Sequence, residues 1–199
     1  MARKKLIYTH LFPYHVMARS NNKEYFGIPC ALAWEVFVME LNQVVTKHKA
    51  LLHSFVLMDN HYHMMISTHE NYNLGLVMCE FQRSVSRRIN QLSGRINHVF
   101  GGRYRASIIL EPENYFNVYK YIYRNPVEAD LCKKVEDYKY SSLLAEGLPL
   151  SCPTTGISCL VPADSKIAWL NQCEESKIFE SIRLGLKKTQ FKPVMNRKY

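Results

Sequence analysis

Two pairs of residues in this chain have the types and spacing to do chemistry together. His61 and His63 flank Tyr62 within a run that begins Leu51-Leu52-His53-Ser54-Phe55-Val56-Leu57-Met58 and continues through Met64-Met65-Ile66. That apolar, partly β-branched run reads as a buried strand. On a strand, residues i and i+2 point to the same face, so the two imidazoles project side by side, as they would to bind one cation. Tyr121 and Asn125 lie four apart in a stretch, residues 113–125, that reads as a helix. Residues i and i+4 share a helix face. Imidazole nitrogen and amide oxygen suit Mg2+ or Mn2+ when phosphate supplies the remaining ligands. Such donors bring no negative charge, which leaves a cation strongly electrophilic towards a phosphodiester. A phenol, with an ordinary pKa of about 10, is a weak nucleophile at neutral pH. Beside a cation and basic side chains its deprotonation becomes feasible. Attack on a DNA phosphorus would then leave a phosphotyrosine and a free 3′-hydroxyl, conserving the bond energy for rejoining. A histidine pair alone is ambiguous: a metal hydrolase of small phosphoesters would use it too, but would leave Tyr121 without a role.

The helix offers four tyrosines, and its geometry sorts them. At about 100° per residue, Tyr115, Tyr119, Tyr123, Phe116 and Ile122 fall on one arc, which reads as core. Tyr121 falls about 240° from Tyr115, among Asn114, Asn117 and Asn125. A tyrosine on that polar arc is not needed for packing, which favours a functional role.

The elements that must position these groups follow in order. Residues 14–19 read as a first strand. Residues 29 to 49 read as a helix with Ala33, Phe37, Leu41, Val44 and Val45 as its apolar stripe. After the histidine strand, Asn73 is placed to cap a helix over 74–92, with Arg83, Arg87 and Arg88 on its exposed side. Residues 103–110 read as a further strand, and the tyrosine helix follows. Asn125-Pro126 is expected to end or bend that helix. The alternation predicts an α+β sandwich, an antiparallel sheet with helices on one face. Residues 148–163 are rich in Pro, Ser, Thr, Gly and Cys and read as a loop or linker. A helix over 166–186 and a tail with Lys187, Lys188 and Lys192 close the chain.

Bulk properties narrow the classes. The chain has 199 residues, 47% hydrophobic and 22% charged, with a net charge of +9. That composition is globular, and the charge favours a polyanion such as nucleic acid. No apolar run reaches the ~18 residues of a membrane span. The opening Met1-Ala2-Arg3-Lys4-Lys5 is followed by too short an apolar segment for an export signal. The six cysteines form no CxxC pair and suit reduced thiols in a cytoplasm.

Four segments together resemble the HUH single-tyrosine transposases, and within them the REP-associated tyrosine transposases. They are Tyr14-His15-Val16-Met17-Ala18-Arg19, Leu57-Met58-Asp59-Asn60-His61-Tyr62-His63, His98-Val99-Phe100-Gly101-Gly102-Arg103-Tyr104-Arg105 and Tyr121-Ile122-Tyr123-Arg124-Asn125-Pro126-Val127-Glu128-Ala129. Asp137-Tyr138-Lys139-Tyr140-Ser141-Ser142 resembles the segment that follows the catalytic helix. The resemblance implies a ferredoxin-like sandwich with a C-terminal helical extension, divided as a catalytic domain over 8–147, a linker over 148–165, and a helix and basic tail over 166–199. It implies a Mg2+- or Mn2+-dependent enzyme that cuts single-stranded DNA beside hairpins and rejoins the strands. His61 and His63 map onto metal ligands, Tyr121 onto the nucleophile, and Asn125 onto the third ligand, where related enzymes use Gln. Within this picture Arg19, Arg83, Arg87, Arg88, Arg103 and Arg105 are candidates for phosphate contacts. Members act as monomers or as homodimers. The rival reading is a non-catalytic nucleic-acid-binding module of the same fold.

Overall fold

The computed structural model describes residues 6–145, 148, 163–172 and 176–194. In chain order the elements are β1 (Tyr14–Arg19), α1 (Cys30–Lys47), β2 (Leu51–Leu57), β3 (His61–Ser67), α2 (Leu74–Ser93), β4 (Arg105–Ile108), α3 (Pro112–Glu128), α4 (Ala163–Asn171) and α5 (Ser176–Gly185). All strand pairs are antiparallel, in the order β2-β3-β1-β4. The first six elements form a ferredoxin-like α+β sandwich, as the sequence leads one to expect.

The apolar run, which reads from the sequence as a strand or a hairpin, is a hairpin. β2 and β3 are joined at Met58-Asp59-Asn60, where the Met58 N–H donates to the His61 carbonyl at 2.7 Å. Strand alternation then sorts the sheet into two faces. Tyr62, Met64 and Ile66 of β3, with Val16 and Phe55, pack against α1 and α2 through Phe37, Leu41, Phe81 and Val85. The expected stripe of α1 is buried throughout. Asn73 caps α2 by accepting from the Leu76 N–H at 2.9 Å, and Gly94 ends it in the left-handed region that favours glycine.

The pair α1 and α2 thus occupies one face, and α3 takes the other, so helices cover both faces where the sequence predicts helices on one, because β2 and β3 carry apolar side chains on both faces. Its Tyr115, Val118, Tyr119, Ile122 and Tyr123 cover Val56 and Met65, and α4 and α5 add Leu170, Ile182 and Leu186 behind them. The helix expected over 166–186 is therefore two helices, and most of the linker expected over 148–165 falls outside the described residues. Pro126 does not stop α3, which continues to Glu128. In the last turn the missing proline N–H costs only one bond. Buried Arg124 ties α3 to the extension, donating to the Leu170, Asn171 and Gln172 carbonyls and pairing with Glu128 at 2.7 Å.

Both sheet edges are covered by backbone pairing. On the β2 edge, the Leu57 N–H donates to the Tyr140 carbonyl at 2.9 Å and the Ser142 N–H to the Phe55 carbonyl at 2.8 Å. On the β4 edge, the Ile108 N–H donates to the Thr189 carbonyl at 2.9 Å and the Phe191 N–H to the Ile108 carbonyl at 2.8 Å.

Ser142 joins three elements: its hydroxyl accepts from the Phe55 N–H at 2.8 Å and bonds the Tyr123 hydroxyl at 2.9 Å. Ser142→Ala would leave two buried polar groups without that partner. It is expected to lower stability by about 1–3 kcal/mol, read as a shift in the denaturant midpoint.

Candidate functional site

The pairing of β1 with β3 builds the floor of the site. Met17 stands opposite His63 and Arg19 opposite His61, while Met17 also pairs with Arg105 of β4. Residues directly opposite across an antiparallel pair share a face. His61, His63, Arg19 and Arg105 therefore present their side chains together, on the face covered by α3.

Each imidazole is oriented through its Nδ1. The Asn60 amide nitrogen donates to the Lys23 carbonyl at 2.7 Å, which turns the Asn60 oxygen towards His61. His61 Nδ1 lies 2.8 Å from that oxygen, an acceptor only, so Nδ1 carries the proton and Nε2 is a bare lone pair. His63 Nδ1 lies 2.9 Å from Nε2 of His15. With the proton on His63 Nδ1, donated to His15, the Nε2 of His63 is bare as well. The His61 and His63 rings stand 5.1 Å apart, nearly perpendicular.

Burial keeps all three imidazoles neutral. It pushes His15 down to about 3. His61 falls to about 4, by burial first and the neighbouring Arg19 second. His63 is held well below the ordinary histidine value by burial, then by His15, His61 and Arg19. A metal ligand must be unprotonated, so this floor is ready to bind a cation at neutral pH. Among the described residues no group of three His, Cys, Asp or Glu side chains is placed to hold a metal. The neutral groups that line the same hollow include an amide.

Helix α3 brings that amide and the phenol. The Tyr121 ring meets His63 edge-on at 5.7 Å and His15 at 6.0 Å. The Asn125 amide nitrogen donates to the Tyr121 carbonyl at 2.7 Å, leaving its oxygen for another partner. His61, His63, Tyr121 and Asn125 line one hollow of about 440 Å³, together with Arg19 and Arg105. The donor set, two bare imidazole nitrogens and an amide oxygen, fits a divalent cation that completes its shell with phosphate and water.

Tyr121 is not on a solvent-facing arc: it is 5% exposed, because α5 lies over it and stacks Phe179 at 4.7 Å. Burial raises its pKa to about 12, with Arg183, Asn125 and Arg19 acting in the opposite direction. Arg183 and Lys187 reach the same hollow from the C-terminal segment.

The remaining sequence candidates separate. Arg103 lies beside the hollow, bonded to the Tyr8 hydroxyl at 3.1 Å. Arg83, Arg87 and Arg88 stand exposed on α2, across the sheet from the histidines. His15, Phe179 and Arg183 belong to the site without having been picked out from the sequence. Only His15 carried a signal, its alternation with Met17 and Arg19 on β1; the other two depend on the chain's return over α3.

The family model for IS200-like transposases matches residues 9–125, which include His61, His63, Tyr121 and Asn125. No curated protein matches the chain. Among solved structures, the chain is similar to a REP-associated tyrosine transposase bound to a REP hairpin, with 17% identity and a TM-score of 0.59, over 79% of this chain and 96% of that one. A candidate transposase from Deinococcus radiodurans R1 overlaps more loosely, with 10% identity and a TM-score of 0.42, over 61% of this chain and 94% of that one. No described helix is long and apolar enough to cross a membrane.

The neutral imidazoles set a pH dependence. Their folded pKa values lie below the unfolded value of about 6.5, so on acidification the unfolded chain takes up protons first. Their contribution is complete above that value and is lost as pH falls from about 6.5 through 4 and then 3. The denaturation free energy should fall on acidification across that window, by on the order of 1 kcal/mol per pH unit for each proton that the unfolded chain takes up in excess of the folded one. Chemical denaturation at a series of pH values checks it.

Proposed function

The chain belongs to the IS200-like transposase family, and on that footing we propose that it is a metal-dependent tyrosine transposase that nicks and rejoins single-stranded DNA next to hairpins. The observation that carries the reading is the edge-on approach of Tyr121 to His63, in the hollow that also receives His61 and Asn125. The similarity to a fold solved with a REP hairpin supports hairpin DNA as the substrate class. The net charge of +9 supports a polyanionic partner. The cytoplasm is the proposed compartment.

In this reading the Tyr121 hydroxyl oxygen attacks the scissile phosphorus. The Tyr–O–P bond forms, the bond from phosphorus to the 3′ oxygen breaks, the phenolic proton passes to water, and water returns a proton to the departing 3′ oxygen to give the 3′-hydroxyl. The 3′-hydroxyl of the same or another strand reverses the step and releases Tyr121. Arg19 and Arg105 attract and orient the phosphodiester. His15 and Asn60 hold the ligand rings in the tautomer with a bare Nε2. His61, His63 and Asn125 would hold Mg2+ or Mn2+, which when bound polarises the non-bridging phosphate oxygens.

Incubation with Mn2+ and labelled hairpin oligonucleotides should give a covalent adduct on a denaturing gel. Tyr121→Phe is expected to lower its formation at least ~1000-fold. An adduct that survives this substitution would remove the nucleophile assignment, and no adduct with any hairpin would favour a binding module. His15→Phe, which takes away the acceptor for His63 Nδ1–H, is expected to weaken Mn2+ binding about 10- to 100-fold by calorimetry.

A further inference from the structure

The site hollow does not end at Tyr121. A second hollow of about 390 Å³ adjoins it, and Arg105, Leu186 and Lys187 line both. Arg103, Tyr104 and Lys188 complete the walls of the second. Along the combined groove stand Arg19, Arg105, Arg183, Lys187, Arg103 and Lys188. Among the described residues the one carboxylate lining it is Glu128, which is paired with Arg124. Arg183 is paired with Glu180 at 2.6 Å; no carboxylate pairs with Arg19, Arg105, Lys187 or Lys188 among the described residues. A concave run of cations that begins beside a candidate nucleophile is the electrostatic form of a backbone track.

The two walls have separate origins. One is β4 and the residues before it, fixed in the sheet. The other is the strap that follows α5. At the end of α5 the chain doubles back so closely that a Cβ on Gly185 would collide with the Lys192 carbonyl. The Lys188 N–H bonds the Gly185 carbonyl at 3.0 Å, and Thr189 to Phe191 then pair with β4 at Ile108. Phe191 is buried at 2% exposure. Lys187 and Lys188 are thus held between two anchors, facing the same hollow as Arg103 and Arg105.

We propose that this groove holds the single-stranded segment on one side of the scissile phosphate, with its backbone between β4 and the strap. The proposal rests on the transposase reading above and adds a binding site built by residues beyond the matched family region. The groove opens onto Tyr121, so the strand lying in it is the one to be cut. Its walls carry Arg103, Arg105, Lys187 and Lys188, which suits the phosphate backbone of the strand that Tyr121 would cut.

Binding is measured without covalent chemistry, using the Tyr121→Phe protein in EDTA and fluorescence anisotropy. The probes are a labelled DNA stem-loop with oligo-dT on both sides and the same stem-loop trimmed on the 5′ or the 3′ side. One flank, not both, is expected to raise affinity at least ~10-fold. Adding Lys187→Ala and Lys188→Ala should abolish that gain and reduce the log–log salt slope by about 1.4, two single-strand phosphates at about 0.7 each. Affinity for the probe trimmed of that flank, and the thermal midpoint, should stay unchanged. Arg103→Ala, on the opposite wall, should cause the same selective loss. Equal weakening of flanked and trimmed probes would overturn the proposal, as would the absence of any gain from either flank. Failure of adduct formation in the unsubstituted protein is a separate result and bears on the transposase reading alone.

Discussion

The register of β1 against β3 is the constraint on which the site depends. A strand repeats every two residues, so a slip by one would exchange the faces of β3 entirely. His61 and His63 would then enter the core beneath α1 and α2, and Tyr62, Met64 and Ile66, all fully buried there, would turn to the face under α3, which holds the polar hollow. Each such apolar side chain contributes about 1.5–3 kcal/mol by being buried. The apolar half of β3 therefore enforces the placement of its polar half. The same pairing sets Arg19 against His61 and, one strand further, Arg105 in line with Met17 and His63. Positive charge thus lies beside the imidazoles by sheet geometry, without any loop having to carry it there.

Burial acts in opposite senses on the two kinds of group in the hollow. It disfavours the imidazolium form and so keeps His15, His61 and His63 available as donors and acceptors. It equally disfavours tyrosinate, and Tyr121 under Phe179 is pushed up to about 12. Arg19 and Arg183 oppose that effect at Tyr121, and Arg19 also reinforces the neutrality of His61 and His63, since a nearby cation favours an anion and disfavours another cation. Arg19 therefore helps both halves of the site, although the two halves titrate in different directions.

How much of this was readable follows from what is local. The stripe of α1, the Asn73 cap of α2 and the alternation of β1 are local patterns, and each reads correctly. The hairpin β2–β3 reads as a strand or a hairpin without a choice between them, because apolar residues run almost to both sides of its turn, leaving only Asp59 and Asn60 to mark it. The wheel of α3 separates Tyr121 from Tyr115, Tyr119 and Tyr123. Yet Asn114, Lys120 and Arg124 on its polar side are buried too, since α4 and α5 pack over the helix from more than 35 residues along the chain. The same distance hid Phe179 and Arg183. Arg83, Arg87 and Arg88 show the converse difficulty. An exposed arginine carries no pattern that tells which side of the sheet its helix will take, and α2 packs opposite the histidines.

The C-terminal segment gains its place through the sheet edge. An unpaired β4 would expose backbone donors and acceptors, an invitation to pairing with other chains. Thr189 to Phe191 satisfy that edge in parallel pairing, and the buried Phe191 fixes the contact. Because this pairing follows directly on Lys187 and Lys188, the bonds that close the edge also set the two lysines beside Arg103 and Arg105. Gathering like charges costs electrostatic energy in the absence of a counter-ion, more so where a wall limits hydration. The anchors at Gly185 and Phe191 let the folded chain bear that cost in advance. A polyanion entering the groove then meets cations whose backbone is already placed, which is what preorganisation contributes to binding.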